Sequence, residues 1–151
     1  MSDGYLIACN TSIGNGEQGI WISGAKNGSI HDNYIEGNHN PREDLGSSGI
    51  MLEGQITLTK VFANTILNNE VTGINVVASW DNEIYDNLIS TPDSGWGGIW
   101  LNETKQTYFA AHATEKNLVR NNVIRNSSVG IAVLAGNENT IANNTVVLNG
   151  P

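Results

Sequence analysis

Aliphatic and polar positions along this chain fall into two short phrases that recur in a fixed order. The first runs aliphatic, two residues, asparagine, one residue, then usually a second aliphatic. Its copies are Ile7–Ser12, Ile30–Ile35, Val61–Ile66, Ile84–Ile89, Val119–Ile124 and Ile141–Val146, with Ser12 standing at the aliphatic place in the first. Their asparagines, Asn10, Asn33, Asn64, Asn87, Asn122 and Asn144, are 23, 31, 23, 35 and 22 residues apart. A period with a floor near 22 and occasional insertions marks a solenoid. The second phrase is Gly-Ile-x-aliphatic, at Gly19–Ile22, Gly49–Leu52, Gly73–Val76, Gly98–Leu101 and Gly130–Val133. Alternation with period two predicts strands, with Ile20 and Ile22 on one face and Trp21 on the other. Strands this short, recurring in one order between turns rich in Gly, Asn, Ser and Asp, stack coil on coil in parallel.

This reading assigns a direction to nearly every strand position. Inward stacks run through Ile30, Val61, Ile84 and Val119, through Ile35, Ile66, Ile89 and Ile124, and through both aliphatics of each Gly-Ile strand. The six asparagines are expected to form a ladder, each amide bonded to the next coil and to turn backbone. Asparagine also tolerates the left-handed backbone of tight bends. The glycine before each Ile is expected to let the chain turn sharply into the strand. Helical periodicity is absent, part of 104–116 excepted.

Composition narrows the picture. Net charge is −8, with only 7 basic residues and no basic patch, so nucleic acid is an unsuitable partner. No apolar run approaches the ~20 residues a membrane span needs. The start, Met1-Ser-Asp-Gly4, has neither the basic nor the apolar region of a signal peptide. Cys9 is the only cysteine, which leaves no intrachain disulfide and no thiolate zinc site. Its place beside Asn10 suits a turn or packing residue rather than a nucleophile.

The two phrases resemble the right-handed parallel β-helix of the pectate-lyase-like superfamily, and in detail NosD-type β-helix repeats. The resemblance covers the whole chain and implies an all-β solenoid of about five coils with an internal asparagine ladder, a single domain over 1–151. It implies a carbohydrate-binding or carbohydrate-processing protein, with a polysaccharide or oligosaccharide as partner. The matched residues build the coil, however, and fold alone does not fix activity. The Gly-His-Gly and Asp-Asp signatures of polygalacturonases are missing, as is the Asp-Pro-His-Glu motif of alginate epimerases.

Candidate chemistry lies on outward faces and inserted loops. On the Gly-Ile strands the outward residues are Trp21, Met51, Asn75, Trp100 and Ala132, and two positions on, Ser23, Glu53, Val77, Asn102 and Leu134. Flat apolar rings suit the CH face of a pyranose, so Trp21, Glu53, Asn75, Trp96 and Trp100 form the candidate binding set. Three insertions flank this face. Glu36–Ser48 carries His39, Arg42, Glu43 and Asp44; Ser90–Gly97 carries Asp93 and Trp96; Glu103–Asn117 carries Lys105, Tyr108 and His112. Glycoside hydrolysis needs paired carboxylates. Lyase or epimerase chemistry on uronates needs a base and a group, such as Arg or Ca²⁺, that neutralises the sugar carboxylate. Asp44, Asp93, Arg42, Tyr108 and His112 are the candidates for such roles. No spacing indicates a metal site, and no motif indicates a cofactor, Ca²⁺ included.

The competing reading is a non-catalytic structural or assembly module, in which the tryptophan stripe is covered by a loop or a partner subunit. The chain begins in mid-coil and stops where another Gly-Ile strand is due, so it reads as truncated or uncapped at both ends. Open solenoid ends expose core and strand edges, which predicts homo-oligomers.

Overall fold

The structure is a computed structural model that describes residues 2–40, 47–92, 95–103 and 113–147. Strands β1 (Ser2–Ala8), β2 (Thr11–Ile13) and β3 (Ile20–Ser23) make the first coil. The second comprises β4 (Ala25–His31), β5 (Tyr34–Glu36) and β6 (Ser48–Glu53), and the third β7 (Lys60–Phe62), β8 (Thr65–Leu67) and β9 (Thr72–Val77). The fourth comprises β10 (Glu83–Tyr85), β11 (Leu88–Ser90) and β12 (Gly97–Asn102), and the fifth β13 (Leu118–Arg120), β14 (Val123–Arg125) and β15 (Ile131–Val133). Strands β16 (Thr140–Ala142) and β17 (Thr145–Val147) begin a sixth. The described residues contain no helix. The expected helical stretch falls mostly on 104–112, outside the described residues.

Each strand pairs in parallel with its counterpart one coil away. Sheet A runs β1-β4-β7-β10-β13-β16, sheet B runs β2-β5-β8-β11-β14-β17, and sheet C runs β3-β6-β9-β12-β15. The first phrase therefore spans two strands, one in sheet A and one in sheet B, and the Gly-Ile phrase is the strand of sheet C. Three aliphatic columns converge on one core. Ile30, Val61, Ile84 and Val119 come from sheet A, and Ile35, Ile66, Ile89 and Ile124 from sheet B. Sheet C supplies Ile50, Leu52, Ile74, Val76, Ile99 and Leu101, and all these side chains are fully buried. Each contributes about 1.5–3 kcal/mol by leaving water. In the terminal coils the same columns are open. Ile7, Ile20, Ile22 and Ile131 are only partly covered, and Val133, Ile141 and Val146 are exposed.

The corners repeat one device. Between sheets A and B, Cys9, Asp32, Ala63, Asp86, Asn121 and Asn143 adopt φ of 52–57°, and each immediately precedes a ladder asparagine. The left-handed residue is thus the one before the ladder position, not the ladder asparagine itself, which corrects the expectation. From Asn33 onward, each ladder amide oxygen accepts from the backbone N–H and the Nδ2 of the asparagine one coil earlier. Asn87 Oδ1, for instance, accepts from Asn64 N at 3.0 Å and Asn64 Nδ2 at 2.9 Å. The Nδ2 groups also donate to carbonyls, as Asn87 does to Val61 at 3.0 Å. The ladder is continuous from Asn10 to Asn144.

Two further ladders occupy the other corners. Asn15, Asn38 and Asn69 link sheets B and C, and Asn82, Asn117 and Asn139 link C and A, with Thr59 at the foot of the second. The sequence displays them as an asparagine five residues before or after the first ladder, the length of a three-residue strand plus its bend. Cys9 is a free, exposed thiol in a left-handed bend, as its position suggested.

The Gly-Ile glycines serve a purpose other than turning. None has positive φ. A Cβ on Gly49 would lie 2.4 Å from Ile66 Cγ2 and 2.7 Å from the Gly73 carbonyl oxygen, and Gly19, Gly73 and Gly98 are crowded in the same way. Glycine is required because the next coil's inward side chain fills that space.

Candidate functional site

The outward column of sheet C has the expected register. Trp21 pairs with Met51, Met51 with Asn75, Asn75 with Trp100, and Trp100 with Ala132. The second column pairs Ser23 with Glu53 and Glu53 with Val77, which is also opposite Asn102. Three inter-strand steps of ~4.8 Å separate Trp21 from Trp100, about 14 Å along the axis. The two indoles therefore belong to one face without touching.

Each tryptophan has a local partner. Trp21 is 56% exposed, and its side chain lies near enough to Glu53 one coil on to favour the ionised carboxylate. Partial burial pushes the Glu53 carboxyl above the ordinary carboxylate range, and the Trp21 side chain opposes that rise in part. Trp96, 53% exposed, lies at the end of the second insertion. Its backbone N–H donates to the Val71 carbonyl at 2.7 Å, which fixes it beside sheet C. Its ring stacks on Trp100 with centroids 5.0 Å apart and planes 29° from parallel. Between these two ends the face is partly closed. Val77 points outward yet is only 4% exposed. Asn75 Oδ1 and Trp100 Nε1 are shielded from solvent and have no hydrogen-bond partner among the described residues. Unpaired buried polar atoms cost about 1–3 kcal/mol each, so a pair of them on one face calls for an explanation.

All five members of the predicted binding set, Trp21, Glu53, Asn75, Trp96 and Trp100, thus lie on or beside one sheet face. The predicted catalytic set, Asp44, Asp93, Arg42, Tyr108 and His112, lies outside the described residues. The insertions that carry them leave the coil where the sequence placed them. Two connect sheets B and C, between β5 and β6 and between β11 and β12, and the third connects β12 to β13. Both feet of the first are tied to Glu70. His39 Nδ1 lies 2.8 Å from Glu70 Oε1, while Asn40 N and Ser47 Oγ donate to Glu70 Oε2 at 3.0 and 3.3 Å. His39 is therefore part of a loop anchor. On the outward columns of sheet C, among the described residues, Glu53 is the one titratable side chain. Those residues also contain no cluster of three His, Cys, Asp or Glu side chains that would hold a metal ion.

A second outward column went unread in the sequence. On sheet A, His31, Phe62, Tyr85 and Arg120 follow the inward aliphatic in successive coils. His31 and Phe62 stack at 4.7 Å, Phe62 and Tyr85 at 4.9 Å, and the Arg120 guanidinium lies 4.3 Å from the Tyr85 centroid. The signal was present, as the residue after the aliphatic in each first phrase. These ring faces are spent on one another, so the column strengthens the sheet and presents edges outward rather than a stacking platform.

Three parallel sheets closed by asparagine corners, with aromatic outward columns on two of them, define a parallel β-helix protein. The chain belongs to the right-handed β-helix family, whose profile matches residues 2–146. Among solved structures it is similar to the periplasmic alginate epimerase AlgG, with a TM-score of 0.59 and 17% identity. That match covers 95% of this chain and 42% of the epimerase chain, so this chain spans less than half the length of the structure it resembles. Comparison with curated protein sequences gives no match.

Proposed function

We propose that the chain is a carbohydrate-binding β-helix whose outward sheet C face takes an extended oligosaccharide. The carrying observation is the side-by-side placement of Trp21 and Glu53, an exposed indole and a half-buried carboxylate on the outward columns of two adjacent strands. Carbohydrate recognition needs both parts. The ring covers the CH face of a sugar, and the carboxylate accepts from its hydroxyls in a site of reduced dielectric. The Trp96–Trp100 stack offers a second aromatic contact further along the same face. The likeness to an alginate epimerase supports a carbohydrate-directed reading at the level of ligand class. For processing, the single carboxylate among the described residues of this face falls short of the pair that glycoside hydrolysis uses. Catalysis would rest on the insertion residues Asp44, Asp93, Arg42, Tyr108 and His112.

Tryptophan fluorescence titration with an oligosaccharide panel tests the reading. A saturable change is expected with at least one sugar, weakened tenfold or more by Trp21→Ala or Trp100→Ala in protein whose far-ultraviolet circular dichroism is unchanged. A panel that leaves the fluorescence untouched would point instead to the structural or assembly module. The outward aliphatics Leu6, Ile13 and Val147, exposed on the sheet faces, favour that second reading.

A further inference from the structure

Resting on the glycan site just proposed, we infer that its ligand is a neutral polysaccharide and not a polyuronate. The one formal charge on the described outward columns of sheet C is negative and half-buried. Glu53 is flanked there by Ser23, Val77 and Met51, none of which neutralises it. An ionised carboxylate only accepts hydrogen bonds. A neutral sugar meets it with O–H donors, whereas a uronate brings a second acceptor-only anion. Two like charges at contact distance repel more strongly where water is partly excluded.

The described cations lie elsewhere. Lys60 and Arg120 belong to sheet A, where Arg120 Nη2 lies 3.7 Å from Glu83 Oε2. Arg125 closes a strand of sheet B, and Lys26 is paired with Asp3 at 3.3 Å. Lys116 occupies a left-handed corner between sheets C and A. The chain as a whole carries −8, so its long-range field also turns away polyanions. Glu53 acts here as a specificity determinant. This chain would then differ in ligand class from the alginate epimerase it resembles, since alginate is a polyuronate.

The test compares cello-, xylo- and mannohexaose with hexamers of galacturonate and mannuronate, by fluorescence titration at neutral pH with and without Ca²⁺. The wild type is expected to bind at least one neutral hexamer tenfold or more tighter than either uronate. Glu53→Gln is expected to narrow that ratio severalfold by improving uronate binding, with the fold checked by its melting transition. Uronate binding that equals or exceeds neutral binding, and is abolished by Trp21→Ala, overturns the ligand class while leaving the glycan site standing. An unchanged ratio in Glu53→Gln overturns the role of that residue. Failure of both ligand classes to bind removes the site itself.

Discussion

At the scale of single residues, most corners are set by two neighbouring choices. One residue accepts a left-handed backbone, and the next supplies an amide that satisfies the polar groups the bend uncovers. Ladder asparagines were legible because the second choice is nearly invariant from coil to coil. The first choice was misassigned because Cys9, Asp32, Ala63 and Asp86 share no chemistry, only φ near 55°. Glu53 shows the same limit. Its outward position was legible, but its approach to Trp21 depends on side-chain geometry across two strands. The burial around it carries a prediction. Because burial raises its folded-state pKa, ionised Glu53 costs stability above the ordinary carboxylate range, and the cost fades as pH falls and the group takes up a proton. Glu53→Gln should therefore melt higher than wild type at neutral pH, with the difference shrinking towards acidic pH. A pH-independent difference, or a lower melt at neutral pH, would contradict the assignment.

At the scale of elements, each sheet C strand is seated by its leading glycine against the coil above. Period-two alternation showed which way Ile20, Trp21 and Ile22 face, and the register follows it throughout. It did not show why glycine precedes each strand, since contact with Ile66, Ile89 or Ile124 is made by residues distant in sequence. Gly73→Ala should be strongly destabilising. Its Cβ would lie 2.3 Å from Ile89 Cγ2 and 2.7 Å from the Gly98 carbonyl oxygen, and backbone on that side cannot rotate away. Overpacking of this kind typically costs about 1–3 kcal/mol, and forced movement of two coils places it at the upper end. Urea denaturation of Gly73→Ala beside Gly16→Ala, where a Cβ meets open space, checks this. Equal midpoints would refute the packing account.

At the scale of the whole molecule, the coil count and the entry point of each insertion were legible from the spacing of the repeats. The contents of the insertions carry no repeat, so the sequence offered no constraint on where Asp44, Asp93 or His112 sit. The core of the interior coils is dry, while the outward aliphatics Leu6, Ile13 and Val147 are exposed on the sheet faces. Covering such surface by self-association stabilises the folded state by mass action. The melting temperature of this chain should then rise with protein concentration across the micromolar range. A constant melt, with sedimentation of a 16.2 kDa monomer throughout, would count against association.

The claim that joins these scales is that the outward face of sheet C is a glycan site, and a crystal structure with a bound neutral hexasaccharide tests it most directly. The account predicts a sugar ring on the Trp21 indole with a hydroxyl donating to Glu53, and the chain running along the axis towards Trp96 and Trp100. A saccharide bound on sheet A or sheet B, with Trp21 and Glu53 untouched, would contradict it.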